Sequence, residues 1–268
     1  MSSKTDTSTA SPLSIDDKIF FIENGYSRAF ALSDRAALNK LKQAIEQQQW
    51  LKLRNQLLHK TSDNDFFPAK TAYLSSQLVC DLATESAILE GVADLLGPDL
   101  LLWVGETITR APFNSGQQWH IDATNAFVGG IHASIAITDM NMKNGCLRVI
   151  PKTHTYGVDP WHLAKKGECD LSDDASLLRL ADRLHPENAP HSVEPVEVSS
   201  GEVFLTKGGL WHSVGPNHTL KTRMAMVARY AQPQVKVTYP LGRKIPCILV
   251  RGEDRYGLNQ LYPRPTDN

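Results

Sequence analysis

The sequence predicts a mainly β fold with α, in which a helical N-terminal third packs on a β-sandwich or barrel. Three observations predict it. Apolar residues before residue 98 recur at helical spacing. From Leu100 onward the chain breaks into short β-rich runs separated by Gly, Pro and Ser. One of those runs, "GGIHASIAITDM", alternates cleanly, with Ile131, Ala133, Ile135 and Ile137 on one face and His132, Ser134, Ala136 and Thr138 on the other. The second set is small or polar, as befits a face lining a cavity.

The elements follow in chain order. Residues 1–13 are polar, rich in Ser and Thr, lack the apolar stretch of a secretory signal, and are expected to be a disordered tail. Residues 14–58 read as mostly helical, with Ser33 expected to cap a helix carrying Leu38, Leu41 and Ile45 on one side. A further helix is expected over Glu85–Leu96, with Ile88, Val92, Leu95 and Leu96 sharing a face and Gly97-Pro98 ending it. "LLLWVGETITR" starts the strands, and "VEPVEV", "GEVFLT" and "RMAMVARYA" continue them. Asn144-Gly145 is a hairpin signal. Residues 156–193 are long for a loop inside a compact domain, and they carry Trp161, Leu177, Leu178 and Leu180 between charged flanks. This segment is expected to form a mobile cover over the site, with a short helix in "DASLLRLADRL". No linker divides the chain, so residues 14–268 are expected to form one domain.

Composition narrows the function. The 268 residues carry a net charge of -1, from 28 basic and 29 acidic side chains, so no nucleic-acid footprint is expected. No apolar run approaches the ~20 residues of a membrane span. The four cysteines, Cys80, Cys146, Cys169 and Cys247, are scattered without a C-x-x-C pair and fit free thiols in a reducing cytoplasm.

Chemistry concentrates in "QQWHID". On a strand, residues two apart share a face, so His120 and Asp122 can point together into a cavity. A facial triad of two histidines and one carboxylate needs a second histidine from a distant strand, and it leaves open positions on a non-haem iron. Of the nine histidines, His212 fits best, after a strand and a Gly-Gly turn, with His132 as its competitor. Arg223 heads an apolar strand eleven residues after His212. In a hairpin that spacing can bring its guanidinium beside the metal, where its planar fork suits a carboxylate.

These residues resemble the phytanoyl-CoA dioxygenase family of Fe(II)- and 2-oxoglutarate-dependent oxygenases. The resemblance runs from about Ile15 to Tyr230 and is carried by "FIENGY", "DLLGPDLLLW", "QQWHID", "NGCLRVIPKTH" and "WHSVGPNHTLKTR". It implies a double-stranded β-helix, a cupin-like jelly-roll, with iron inside. It implies His120, Asp122 and His212 as iron ligands and Arg223 as partner of the distal carboxylate of 2-oxoglutarate. Ser134 and Gln117 match positions that touch this cosubstrate. Relatives often carry a serine two residues after the distal histidine, where this chain has Val214, with Ser213 displaced by one.

The resemblance implies an oxidation in which O2 is consumed and succinate and CO2 are released; hydroxylation of a small metabolite or natural-product intermediate is expected, since no cluster of basic residues calls for a CoA phosphate. Related halogenases replace the carboxylate ligand with a small residue, so Asp122 argues for hydroxylation or a related oxidation. The same iron site elsewhere serves desaturation, epimerisation and cyclisation. The alternative from another class is a β-sandwich that binds a small ligand without turnover. Trp103, Asn125, His132 and Trp211 are expected to line the substrate site, and a small molecule is the expected partner.

Overall fold

The computed structural model describes residues 11–57, 70–122, 130–238 and 244–266. Residues 1–10 of the expected tail lie outside them, whereas Leu13 is already buried in the core.

Helix α1 (Ile15–Asn24) begins with a reciprocal cap: the Asp17 amide donates to the Ser14 hydroxyl and the Ser14 amide to the Asp17 carboxylate, each at 3.1 Å. After a two-residue strand β1 (Phe30–Ala31) comes α2 (Arg35–Leu57). Its cap is Asp34 rather than Ser33. The Ala37 amide donates to Asp34 at 2.8 Å, while the Ser33 hydroxyl turns to Glu85. Sequence patterning does not single out the short α3 (Gln77–Ala83). Helix α4 (Ser86–Leu96) sits where expected, started by the Glu85 side chain and ended at Gly97.

Two antiparallel sheets form the jelly-roll. The major sheet runs β1-β7-β4-β9-β2-β10-β11, built from β1, β2 (Leu100–Arg110), β4 (Ile131–Ala136), β7 (Glu202–Lys207), β9 (Arg223–Ala231), β10 (Pro246–Arg251) and β11 (Gln260–Leu261). Only its last pair, β10 with β11, is parallel. The minor sheet runs β3-β8-β5-β6, from β3 (Gln117–His120), β5 (Leu147–Val149), β6 (Glu194–Val196) and β8 (His212–Val214).

Period-two alternation divides the labour of the major sheet. On one face Ile131, Ala133, Ile135, Val203, Leu205, Met224, Met226, Ala228 and Tyr230 are buried with Phe21, Leu38, Leu41, Val79, Leu82, Ile88 and Val92 of the helical layer. On the other face His132, Ser134, Phe204, Thr206, Arg223, Ala225, Val227 and Arg229 look into a cavity between the sheets. Gly105 of β2 permits close approach of the helical layer, since a Cβ there would lie 2.7 Å from the Tyr73 Cβ.

Three expectations about connections change. Asn144-Gly145 forms a turn, with the Asn144 and Cys146 amides donating to the Asn141 carbonyl, but it carries the chain from one sheet to the other, because β4 and β5 belong to different sheets. Likewise β8 and β9 are not a hairpin; the chain crosses from the minor to the major sheet between His212 and Arg223. A jelly-roll is built by such crossings, which turn signals alone do not distinguish from hairpins.

The third change concerns residues 156–193. They contain α5 (Pro160–Lys165) and α6 (Asp174–Leu184), and they pack on the outer side of the minor sheet instead of over the cavity, which none of them lines. Leu177 and Leu180 are fully buried against Trp119 and Trp211. The Trp119 indole donates to Asp174 at 3.0 Å, and Arg148 pairs with the same carboxylate at 2.7 Å. Leu177 and Leu180 thus belong to a second core, with Leu178 partly buried against it, whereas Trp161 is exposed. Leu180→Ala should therefore destabilise the protein by about 2–5 kcal/mol, the usual cost of emptying a core leucine site. Chemical denaturation measures this, and a loss under about 1 kcal/mol would show a lightly packed segment.

Candidate metal and cosubstrate site

The cavity holds about 330 Å³. At its centre the crossing topology brings together residues from distant parts of the chain. His120 and His212 are register partners on β3 and β8, with ring centroids 4.2 Å apart. Asp122 follows β3 and is fixed by its amide, which donates to the Gly208 carbonyl at 3.1 Å. The Gly-Gly turn is therefore part of the site: Gly208 meets Asp122, and a Cβ on Gly209 would press to 3.0 Å from the His154 carbonyl. One nitrogen from each histidine and one Asp122 oxygen all lie within 4.8 Å of one another.

Both imidazoles are oriented by the same local device. The Nδ1 of His120 is 2.8 Å from the Gln118 carbonyl, and the Nδ1 of His212 is 2.8 Å from the Leu210 carbonyl. A carbonyl only accepts, so each Nδ1 carries the proton and each Nε2 presents its lone pair. Those Nε2 atoms face Asp122, at 3.9 Å for His120 and 3.8 Å for His212. Burial, and then the neighbouring His212, hold His120 down to about 4. Burial lowers His212 as well. Neutral imidazoles are what a metal requires.

Asp122 is the opposite case. Burial works against its charge, but Arg229, the His132 hydrogen bond and His212 together outweigh that effect and hold the carboxyl well below its usual range. Arg229 lies 3.1 Å from Oδ1, and the Nδ1 of His132 donates to Oδ2 at 3.0 Å. His132, expected either to compete as a ligand or to touch substrate, is thus turned to the carboxylate from behind while still bordering the cavity. Trp103 does not border it; the indole packs edge-on to His132, with the Arg229 guanidinium 5.7 Å from its ring. Trp211, also expected to face substrate, is fully buried in the outer core and donates to the Val158 carbonyl at 2.8 Å. It neighbours His212 in sequence, so strand alternation turns it the other way. Asn125 lies outside the described residues.

Arg223 is buried at the other end of the cavity. Among the described residues its Nη1 meets only the Met140 sulfur, at 3.2 Å, and its Nε has no partner. Burial, and then nearby Arg110, push it down to about 10. Ser134 and Gln117 line the same cavity, and the Gln117 amide nitrogen lies 2.9 Å from the Nε2 of His120.

Sequence analysis does not single out four charged residues of the cavity, Lys70, Glu106, Arg110 and Arg229. Glu106 is buried, which raises its pKa, with Arg229 and Lys70 acting the other way. The signal for Arg229 was present in the alternation of "RMAMVARYA", which puts residues 223, 225, 227 and 229 on one face.

The carboxylate's two supports give a prediction. His132→Ala should weaken divalent-metal binding by roughly 10–100-fold, as loss of a hydrogen bond behind a metal ligand does. His132→Asn, which keeps a donor, should lose less. Competition against a chromophoric chelator reads both, and an unchanged affinity in the alanine variant would contradict the role.

The phytanoyl-CoA dioxygenase (PhyH) family model matches residues 21–225. Similar solved structures include a non-haem monooxygenase, ThoJ, as its nickel complex, at 22% identity and TM-score 0.68, with 93% of this chain and 89% of that one covered. CytC3 with Fe(II) and α-ketoglutarate matches at 21% identity and TM-score 0.62, covering 94% and 95%. The epimerase SnoN, in complex with Fe3+, α-ketoglutarate and nogalamycin RO, matches at 17% identity and TM-score 0.58, covering 84% and 85%. At these identities the structures speak for a shared fold, while the family match spans most of the sequence. The chain belongs to the phytanoyl-CoA dioxygenase family, whose members are non-haem Fe(II)- and 2-oxoglutarate-dependent enzymes.

Proposed function

We propose that this protein oxidises an unactivated C–H bond of a small metabolite or natural-product intermediate, most simply by hydroxylation. His120, Asp122 and His212 hold one Fe(II), and Arg223 anchors 2-oxoglutarate. One observation carries the reading: a two-histidine, one-carboxylate donor set shares a cavity with a buried arginine that lacks a counterion among the described residues.

The donor set fits the metal. Two neutral imidazoles and one carboxylate suit a divalent iron, and three protein ligands leave three positions for a bidentate keto acid and O2. Bound iron with 2-oxoglutarate and O2 supplies the oxidising chemistry, releasing succinate and CO2. The protein's part is positioning and exclusion of water. Arg223 would offer a fork to the far carboxylate, and Ser134 and Gln117, which line the same cavity, would bind the same molecule. Ile108, Leu147 and Val227 supply apolar wall. Asp122 supports oxidation over halogenation, because its carboxylate occupies a position that a halide would need.

Anaerobic titration tests the assignment. The protein with Fe(II) and 2-oxoglutarate should develop a visible metal-to-ligand charge-transfer band, and His212→Ala should not. Losing a buried bidentate partner costs about 3–5 kcal/mol. Arg223→Ala should accordingly need a hundredfold or more 2-oxoglutarate at little change in iron requirement. Equal cosubstrate affinity in that variant would count against the anchor, and no band in the wild type would favour a ligand-binding protein without turnover.

A further inference from the structure

Arg223 has an unexpected neighbour. Arg110 is its register partner across β2 and β9, and both side chains line the cavity. Like charges directly opposite on antiparallel strands repel, and with Arg223 buried and Arg110 half-buried, water screens the repulsion less than it would at the surface. The lowered pKa of Arg223 is caused by burial first and by Arg110 second. Among the described residues neither guanidinium has a carboxylate partner: Arg110 donates to the neutral Gln117 amide oxygen at 2.9 Å, Arg223 meets the Met140 sulfur, and the buried Nε of each has no partner there.

Two converging guanidiniums with unused buried donors are costly in isolation. They become favourable around an anion with several acceptor atoms. Val214 adds a second argument. It borders the same cavity, pairs in register with Gln117, and offers no donor to a carboxylate. Gln117, in turn, is the residue that holds Arg110.

We propose that Arg110 is the second arm of the cosubstrate clamp, so that Arg110 and Arg223 together bind the far carboxylate of 2-oxoglutarate and Arg110 supplies the contact that Val214 cannot make. This rests on the 2-oxoglutarate site proposed above. It assigns Arg110 to the cosubstrate rather than to an acidic group on the substrate.

The test compares two keto acids on the Fe(II)-loaded protein without oxygen: 2-oxoglutarate, and 2-oxopentanoate, in which a methyl replaces the far carboxylate. Affinities are read from the charge-transfer band or by calorimetry. The wild type should prefer 2-oxoglutarate strongly. Arg110→Gln should cut that preference tenfold or more, the scale of one hydrogen bond between charged groups, while its affinity for 2-oxopentanoate stays as in the wild type. Arg110→Lys, which keeps the charge and is the milder change, should fall between them. Adding Val214→Ser to Arg110→Gln should recover part of the preference. A wild type that binds neither keto acid sinks the 2-oxoglutarate site itself. A wild type that binds 2-oxoglutarate, with Arg110 variants that discriminate equally well, overturns the clamp alone and leaves Arg110 for the substrate.

Discussion

A charge taken out of water must be answered by another, and the cavity of this protein meets that requirement in two different ways. Around Asp122 the answer is internal. Arg229 and His132 each hold one carboxylate oxygen, so the group stays ionised despite its burial. Around Arg223 and Arg110 no internal answer is present among the described residues. The first arrangement keeps a ligand charged and oriented before any metal arrives. The second leaves a positive site for an anion to complete. The two ends of the cavity are therefore complementary to the two parts of the proposed load, a cation at one and a carboxylate at the other.

The jelly-roll makes this arrangement achievable. Each strand of the major sheet spends one face on the helical layer and the other on the cavity, so polar groups can enter the interior without disturbing the main core. The minor sheet repeats the division. His120 and His212 look inward, while Trp119 and Trp211, one residue before each, anchor α6 on the outside. A shift of one residue in either strand would exchange ligand for tryptophan. The outer core of Trp119, Trp211, Leu177 and Leu180 thus does more than add stability, because it fixes the register that aims the two imidazoles.

Much of this was legible in the sequence, and the limits have physical causes. His-x-Asp on a strand, the histidine after Gly-Gly, and the alternation of residues 131–138 were readable because strand geometry has a fixed period. The connections were not. Asn144-Gly145 marks a turn in a hairpin and in a sheet crossing alike, and the eleven residues from His212 to Arg223 span either. Trp211 stands next to a ligand in sequence, yet strand alternation turns it to the outer core, opposite to His212. The role of His132 was hidden for another reason: a histidine facing a cavity looks the same whether it meets a metal, a substrate or a neighbouring carboxylate. Arg110 and Arg223 became a pair only once the register of β2 and β9 was known, since they lie far apart in the chain.

The central claim is that one metal and one dicarboxylate occupy the two complementary ends of this cavity. A crystal structure of the protein prepared without oxygen in Fe(II) and 2-oxoglutarate addresses it most directly. The account predicts a single metal bound by His120, Asp122 and His212 at about 2.0–2.2 Å, the range of nitrogen and oxygen ligation, with the far carboxylate of 2-oxoglutarate on Arg223. Metal bound without one of these three side chains, or 2-oxoglutarate lying with its far carboxylate away from Arg223, would contradict it.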